Sequence, residues 1–178
     1  MQQLKDIFTD GSSDINRWPD CADPMINEIN ALKPNFVLDA GCGANLYKNH
    51  IPNLTGLDIA TNEADYVGLI EELPYDDNSV DICLCLGSIN FGSENLIRKQ
   101  IQEVKRVTRT NGRLYFRVMC EHKHELYYPW NIDKAKQFRK EFGFTFIDGP
   151  RKIYKSTSEN RHKVGDRGKE RLYWVWKN

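Results

Sequence analysis

The 178-residue chain has no run of about 18 apolar residues, so no helical membrane span is expected. Its start, MQQLKDIFTDGSSD, lacks a basic-then-apolar leader, and a cytoplasmic location is expected. Its five cysteines, Cys21, Cys42, Cys83, Cys85 and Cys120, are odd in number, and no pair has CxxC spacing. That argues against both a disulfide framework and a zinc site, and reduced, buried thiols are expected instead. There is no internal repeat and no low-complexity tract. Net charge is also lacking, but the zero hides an imbalance. Residues 1–80 hold 14 acids and 4 bases, whereas residues 81–178 hold 11 acids and 21 bases. Such asymmetry marks a polyanion-binding face only where the halves stay apart in space.

What is present alternates. Asp23-Pro24 reads as a helix start, followed by Met25, Ile26, Ile29 and Leu32 at helical spacing. Phe36–Asp39, Leu54–Asp58 and Tyr66–Leu69 read as the first three strands. Residues 45–50 allow one helical turn at most, and the link Ile59–Asp65 is too short for a helical crossover, which takes about 10–12 residues. Val80–Leu86 is a strongly apolar fourth strand. Ser93 caps a helix carrying Ile97, Ile101, Val104 and Val107, closed by Asn111-Gly112. Arg113–Met119 is the fifth strand, and Asn131–Phe142 is a helix stopped by Gly143. Phe144–Ile147 and Leu172–Trp176 follow with no helix between them, which implies an antiparallel pair at one edge of a parallel sheet. Asp76-Asp77-Asn78 reads as the turn before the fourth strand rather than a metal cluster.

The most informative segment is VLDAGCGA, Val37 to Ala44, a strand that ends in an acid and a Gly-x-Gly turn. Glycine has no Cβ, so backbone there can approach a ligand at the carboxyl edge of the sheet. The third glycine of GxGxxG is missing, with Leu46 in its place, which disfavours a nicotinamide enzyme.

Together with LTGLDIA and ELPYDDNSVDICLCLGS, this segment resembles the class I S-adenosylmethionine-dependent methyltransferases of the small single-domain type. The resemblance covers residues 24–178. It implies a single Rossmann-like α/β domain over residues 23–178, doubly wound, with seven strands in the order 3-2-1-4-5-7-6. Strand 7 would be antiparallel, and the helices around strands 2 and 3 reduced. The implied cofactor is S-adenosylmethionine, with S-adenosylhomocysteine as product and no metal. Gly41, Cys42 and Gly43 would pass beneath its methionine and ribose, and Asp39 would hold its amino group through water. Asp58, with Ile59 beside it, would accept from both ribose hydroxyls. Leu69, Ile70 and Glu71 would flank adenine, although Leu69 stands where the family often has an acid. Either Glu71 or another group replaces that acid, or backbone and apolar contacts hold the base alone. Leu86, Gly87 and Ser88 would meet the methionine portion and then the acceptor.

The resemblance leaves the acceptor open. LGSINF stands where a [DNS]-P-P-[YFW] tetrapeptide would mark amino-group methylation of adenine, cytosine or glutamine, and no Pro-Cys dipeptide offers a nucleophile for cytosine C5. A small-molecule acceptor is expected, taken up by a monomer or homodimer. Asn90 with Phe91 would line its pocket, and His122 or His124 would serve as a general base or simply be solvated. Tyr127-Tyr128-Pro129-Trp130 would wall the pocket or belong to the core. Residues 1–22, through Trp18-Pro19, would form a lid over the cofactor or an apolar anchor. Arg161, Lys163 and Arg167 would grip a nucleic-acid phosphate or sit on a solvated hairpin tip. Rival readings are a catalytically silent cofactor-binding subunit, and a module of this fold acting on RNA, DNA or protein.

Overall fold

A computed structural model describes residues 22–120, 125–153 and 171–178. The chain runs α1 (Ala22–Leu32), β1 (Val37–Ala40), β2 (Leu54–Asp58), β3 (Tyr66–Val67), a 3-10 turn (Ile70–Glu72) and β4 (Val80–Leu86). It continues through α2 (Glu94–Val107), β5 (Thr108–Met119), α3 (Ile132–Phe142), β6 (Thr145–Ile153) and β7 (Arg171–Lys177). The seven strands form one sheet in the order β3-β2-β1-β4-β5-β7-β6. β7 is antiparallel to both β5 and β6, and the other pairings are parallel. Fold class and strand order are as expected.

Side chains alternate across the sheet with period two and divide the core in two. Leu38, Cys83, Cys85, Phe116, Trp174 and Trp176 pack with the stripes of α2 and α3 on one face. Val37, Ile82, Leu84, Leu86, Tyr115, Tyr173 and Val175 pack with Met25, Ile26 and Ile29 of α1, and with Tyr47 and Ile51, on the other. Ser93 Oγ accepts from Leu96 N–H and Asn131 Oδ1 from Lys134 N–H, so each helix has its capping acceptor. Gly143, at φ 73°, closes α3 in the left-handed conformation. Cys42, Cys83, Cys85 and Cys120 are free thiols, the first three buried. Asn78, at φ 58°, turns the chain into β4, and neighbouring Asp77 pairs with Arg106 at 2.7 Å. That acidic stretch is the expected turn.

Three boundaries differ from the sequence reading. α2 ends at Val107, not at Asn111-Gly112, because Thr108 already pairs with Val80 and opens β5. Gly112 then lies so close to its surroundings that a Cβ would sit 2.8 Å from the Asp81 carbonyl oxygen. β3 is two residues long, and Leu69 caps the 3-10 turn instead of extending the strand. β6 runs on to Ile153 through Gly149-Pro150, with register shifts on either side of Asp148. As the edge strand it tolerates a proline without an N–H.

The connections around β2 are pared down as expected. Turns fill residues 43–50, and residues 59–65 contain no helix. One carboxylate oxygen of Asp65 ties this short link down, accepting from Gly56 N–H at 2.8 Å, Lys48 Nζ at 2.9 Å and Asn45 Nδ2 at 3.3 Å. Among the described residues no helix is long and apolar enough to cross a membrane.

Candidate functional site

The site is built where β1, β2 and β4 end. Parallel strands in register bring Ala40, Leu57 and the end of β4 to one edge. At that edge the turn after β1 is fastened to β2. Gly41 and Cys42 both donate to the Leu57 carbonyl, at 2.7 and 3.0 Å. Gly43 N–H donates to Asp58 Oδ2 at 2.9 Å, and Asp58 Oδ1 accepts from Ala60 N–H at 2.9 Å. The half-buried Asp58 carboxylate thus faces the glycine turn rather than bulk water, and each oxygen keeps a second lone pair for another donor.

Gly41 has a use that the sequence did not reveal. It sits at φ 88°, and a Cβ there would lie 2.1 Å from Ser88 Cβ. The missing side chain therefore admits Ser88, whose hydroxyl donates to the Ala40 carbonyl. The bareness of Gly41 thus also welds the loops after β1 and β4. Ser88, expected to meet the donor or acceptor, has committed its only proton to this weld.

Asp39 is 1% exposed, and its Oδ2 has no hydrogen-bond partner. Burial, then the nearby Asp58 carboxylate, push its pKa up to about 7, with the Arg117 guanidinium pulling the other way. An orphaned buried carboxylate oxygen is the partner that an ammonium group requires, so this residue fits the amino group of a methionine-type cofactor. Burial and the carboxylates of Asp39 and Asp58 hold the Cys42 thiol neutral. A thiol held neutral in this way is not a nucleophile.

On the opposite flank of the turn, Leu69 and Glu71 are half-buried and Ile70 is buried. Glu71 accepts from Gln100 Nε2 at 3.2 Å, which turns its carboxylate toward α2. Ile59 is half-buried at the end of β2, and Leu86 is buried at the end of β4.

Asn90, expected to face an acceptor, is 4% exposed and acts as a clamp. Its Nδ2 donates to the Gly87 carbonyl at 2.9 Å, and its Oδ1 accepts from Met119 N–H at 2.8 Å. Phe91 and Tyr127 bridge across the rim, ring centroids 4.7 Å apart. Tyr128 and Trp130 belong to the core, bonded to Glu94 and to the Ile89 carbonyl. His122 and His124 lie outside the described residues, as do Trp18-Pro19 and the basic trio Arg161, Lys163 and Arg167.

Sequence reasoning missed Arg117. It lies on β5 one strand beyond Leu86, its Nη2 donates to the Leu86 carbonyl at 2.7 Å, and its Nε is buried without a partner. The signal was present: Arg117 interrupts the apolar run Leu114–Met119, and charge inside such a run needs a reason.

Comparisons with known proteins agree with this geometry. Residues 38–116 match the methyltransferase domain family. Malonyl-[acyl-carrier protein] O-methyltransferase of Yersinia pestis is 32% identical over 100 residues, 48% of this chain, and the match spans only 37% of that protein. The crystal structure of Burkholderia thailandensis 1,6-didemethyltoxoflavin-N1-methyltransferase, with bound 1,6-didemethyltoxoflavin and S-adenosylhomocysteine, superposes with a TM-score of 0.74 at 15% identity. That likeness covers 99% of this chain and 86% of the other. The YcgJ protein of Bacillus subtilis gives 0.63 at 16% identity over 87% and 96% of the two chains. At such identities the likeness establishes the fold. Strand order over the described residues and the domain match over residues 38–116 agree on a Rossmann-like methyltransferase fold.

Proposed function

We propose that the protein is an S-adenosylmethionine-dependent methyltransferase with a small-molecule acceptor. The observation that carries the reading is the unpartnered Asp39 oxygen, buried beside a glycine turn that is itself bonded to Asp58. Asp39 would hold the amino group, and the free lone pairs of Asp58 the ribose hydroxyls. Cys42 and Ile59 would wall the nucleoside, with Leu69, Ile70 and Glu71 beside the adenine. The bound cofactor supplies an activated methyl group on a sulfonium.

The contribution of the chain is alignment. The loops after β1 and β4 are locked to each other through Ser88 and Gly41, so the residues on either side of the reacting centre keep one geometry. The acceptor side is framed by Gly87, Asn90 and the Phe91–Tyr127 pair. The name of the solved relative, a 1,6-didemethyltoxoflavin methyltransferase, favours a small acceptor, whereas the curated relative is named for a malonyl group on acyl-carrier protein.

The test uses the full chain. Calorimetry is expected to show S-adenosylhomocysteine binding at micromolar to millimolar concentration. A labelled methyl donor is expected to pass its label to a component of a small-molecule pool and not to tRNA or protein. Binding without any transfer would favour the silent-subunit reading, and no binding would overturn the cofactor reading.

A further inference from the structure

Arg117 and Asn90 bound a notch over Gly87. Gly87 sits at φ 110°, and a Cβ there would lie 3.2 Å from Arg117 Nη2 and 4.0 Å from Asn90 Nδ2. Apart from its chain neighbours, nothing else among the described residues comes within 4 Å of that point. The space left by the missing side chain is therefore lined by nitrogen donors. Each has capacity left. Asn90 Nδ2 uses one hydrogen on the Gly87 carbonyl, and Arg117 Nη2 uses one on the Leu86 carbonyl. Arg117 forms no ion pair with Asp39, and β4 lies between their strands. Its charge is felt at Asp39 across β4, while its Nη2 is held on the Leu86 carbonyl beside Gly87.

We infer that the acceptor is a carboxylic acid, with its carboxylate seated over Gly87 between the Arg117 guanidinium and the Asn90 amide. This rests on the methyltransferase reading above. A guanidinium matches a carboxylate better than it matches a neutral hydroxyl or an amine, and it repels a protonated amine. The chemistry also suits the residues at the site. One carboxylate oxygen forms the new bond to the methyl carbon while the carbon–sulfur bond breaks and its electron pair stays on sulfur. The acceptor is already ionised at neutral pH, so no proton changes place and no general base is required. The product is a methyl ester.

The ester makes the inference testable without knowing the acid. The full chain is incubated with tritiated-methyl donor and small-molecule extract, and the products are treated with mild base. The expected result is label released as volatile methanol, which amine or ether products do not give. Arg117→Met is expected to lower that transfer at saturating donor by about tenfold or more, with S-adenosylhomocysteine affinity, compared above about pH 8 where Asp39 is ionised, changed much less. Arg117→Lys, which retains the charge but loses the fork, should fall between. In a readout free of turnover, ligand-observed NMR on the S-adenosylhomocysteine complex should show benzoate and succinate binding better than their amides. Base-stable label, or no preference for acids over amides, would overturn the inference and leave the methyltransferase reading intact. Failure to bind S-adenosylhomocysteine would overturn both. If Arg117→Met does not fold, base lability in the wild-type protein and the acid–amide comparison still decide.

Discussion

Ser88 stands directly over the Cα of Gly41, leaving 2.1 Å where a side chain would begin. This contact joins the loops after β1 and β4. Gly41→Ala would place a Cβ into Ser88 at a left-handed φ, so a stability loss of about 2–4 kcal/mol is expected. Urea denaturation midpoints check this. The double variant Gly41→Ala with Ser88→Gly should recover part of the loss, since it relieves the clash but not the backbone strain.

Asp58 braces the turn through Gly43 N–H and Ala60 N–H. Asp58→Ala removes both acceptors and the proposed ribose contact. S-adenosylhomocysteine affinity is expected to fall roughly 10- to 100-fold and stability by about 1–2 kcal/mol. Calorimetry and thermal melting separate the two effects.

Asp39 gives a pH signature. Its pKa in the fold is about 7 against 3.8 for an ordinary aspartate, so the folded chain holds the proton more tightly than the unfolded one. Without ligand, stability is expected to fall as pH rises from about 4 to about 7 and then level off. Asp39→Asn should flatten that slope and stabilise the ligand-free protein above about pH 7 by up to about 3 kcal/mol. Binding of an amino group needs the ionised carboxylate. S-adenosylhomocysteine affinity should therefore rise from about pH 6 to about pH 8, with proton release on binding. Calorimetry in buffers of different ionisation enthalpy measures that proton.

Asp65 replaces the missing helix between β2 and β3. Burial raises its pKa, but the bonds from Gly56 N–H, Lys48 and Asn45 outweigh burial, and the net value is below the ordinary one. Its support is present above the unfolded pKa and is lost as pH falls through the folded one. Asp65→Ala is expected to lower stability by about 1–2 kcal/mol and to raise hydrogen exchange at Gly56.

Much of this was legible in the sequence because local chemistry and tertiary context agree. VDICLCL has no polar face to expose, and it is a central strand flanked by β1 and β5. Ser93, Asn131 and Gly143 act at helix ends as their side chains dictate. The misreadings lie where a distant partner decides. Asn111-Gly112 carries a turn signature, but Val80 recruits Thr108 into β5 first. Leu69 belongs to a strand by propensity, yet the chain turns into the 3-10 segment there. At the site, the Asp58 position was readable from the end of its strand. The roles of Ser88, Asn90 and Arg117 depend on contacts 48, 29 and 31 residues away along the chain, which no local pattern encodes.

A crystal structure of the full chain with S-adenosylhomocysteine tests the central claim most directly. It is expected to show the ribose hydroxyls on Asp58 and the amino group toward Asp39, over Gly41–Gly43. A nucleoside bound elsewhere, or a crevice still closed by its own side chains at saturating ligand, would contradict the account.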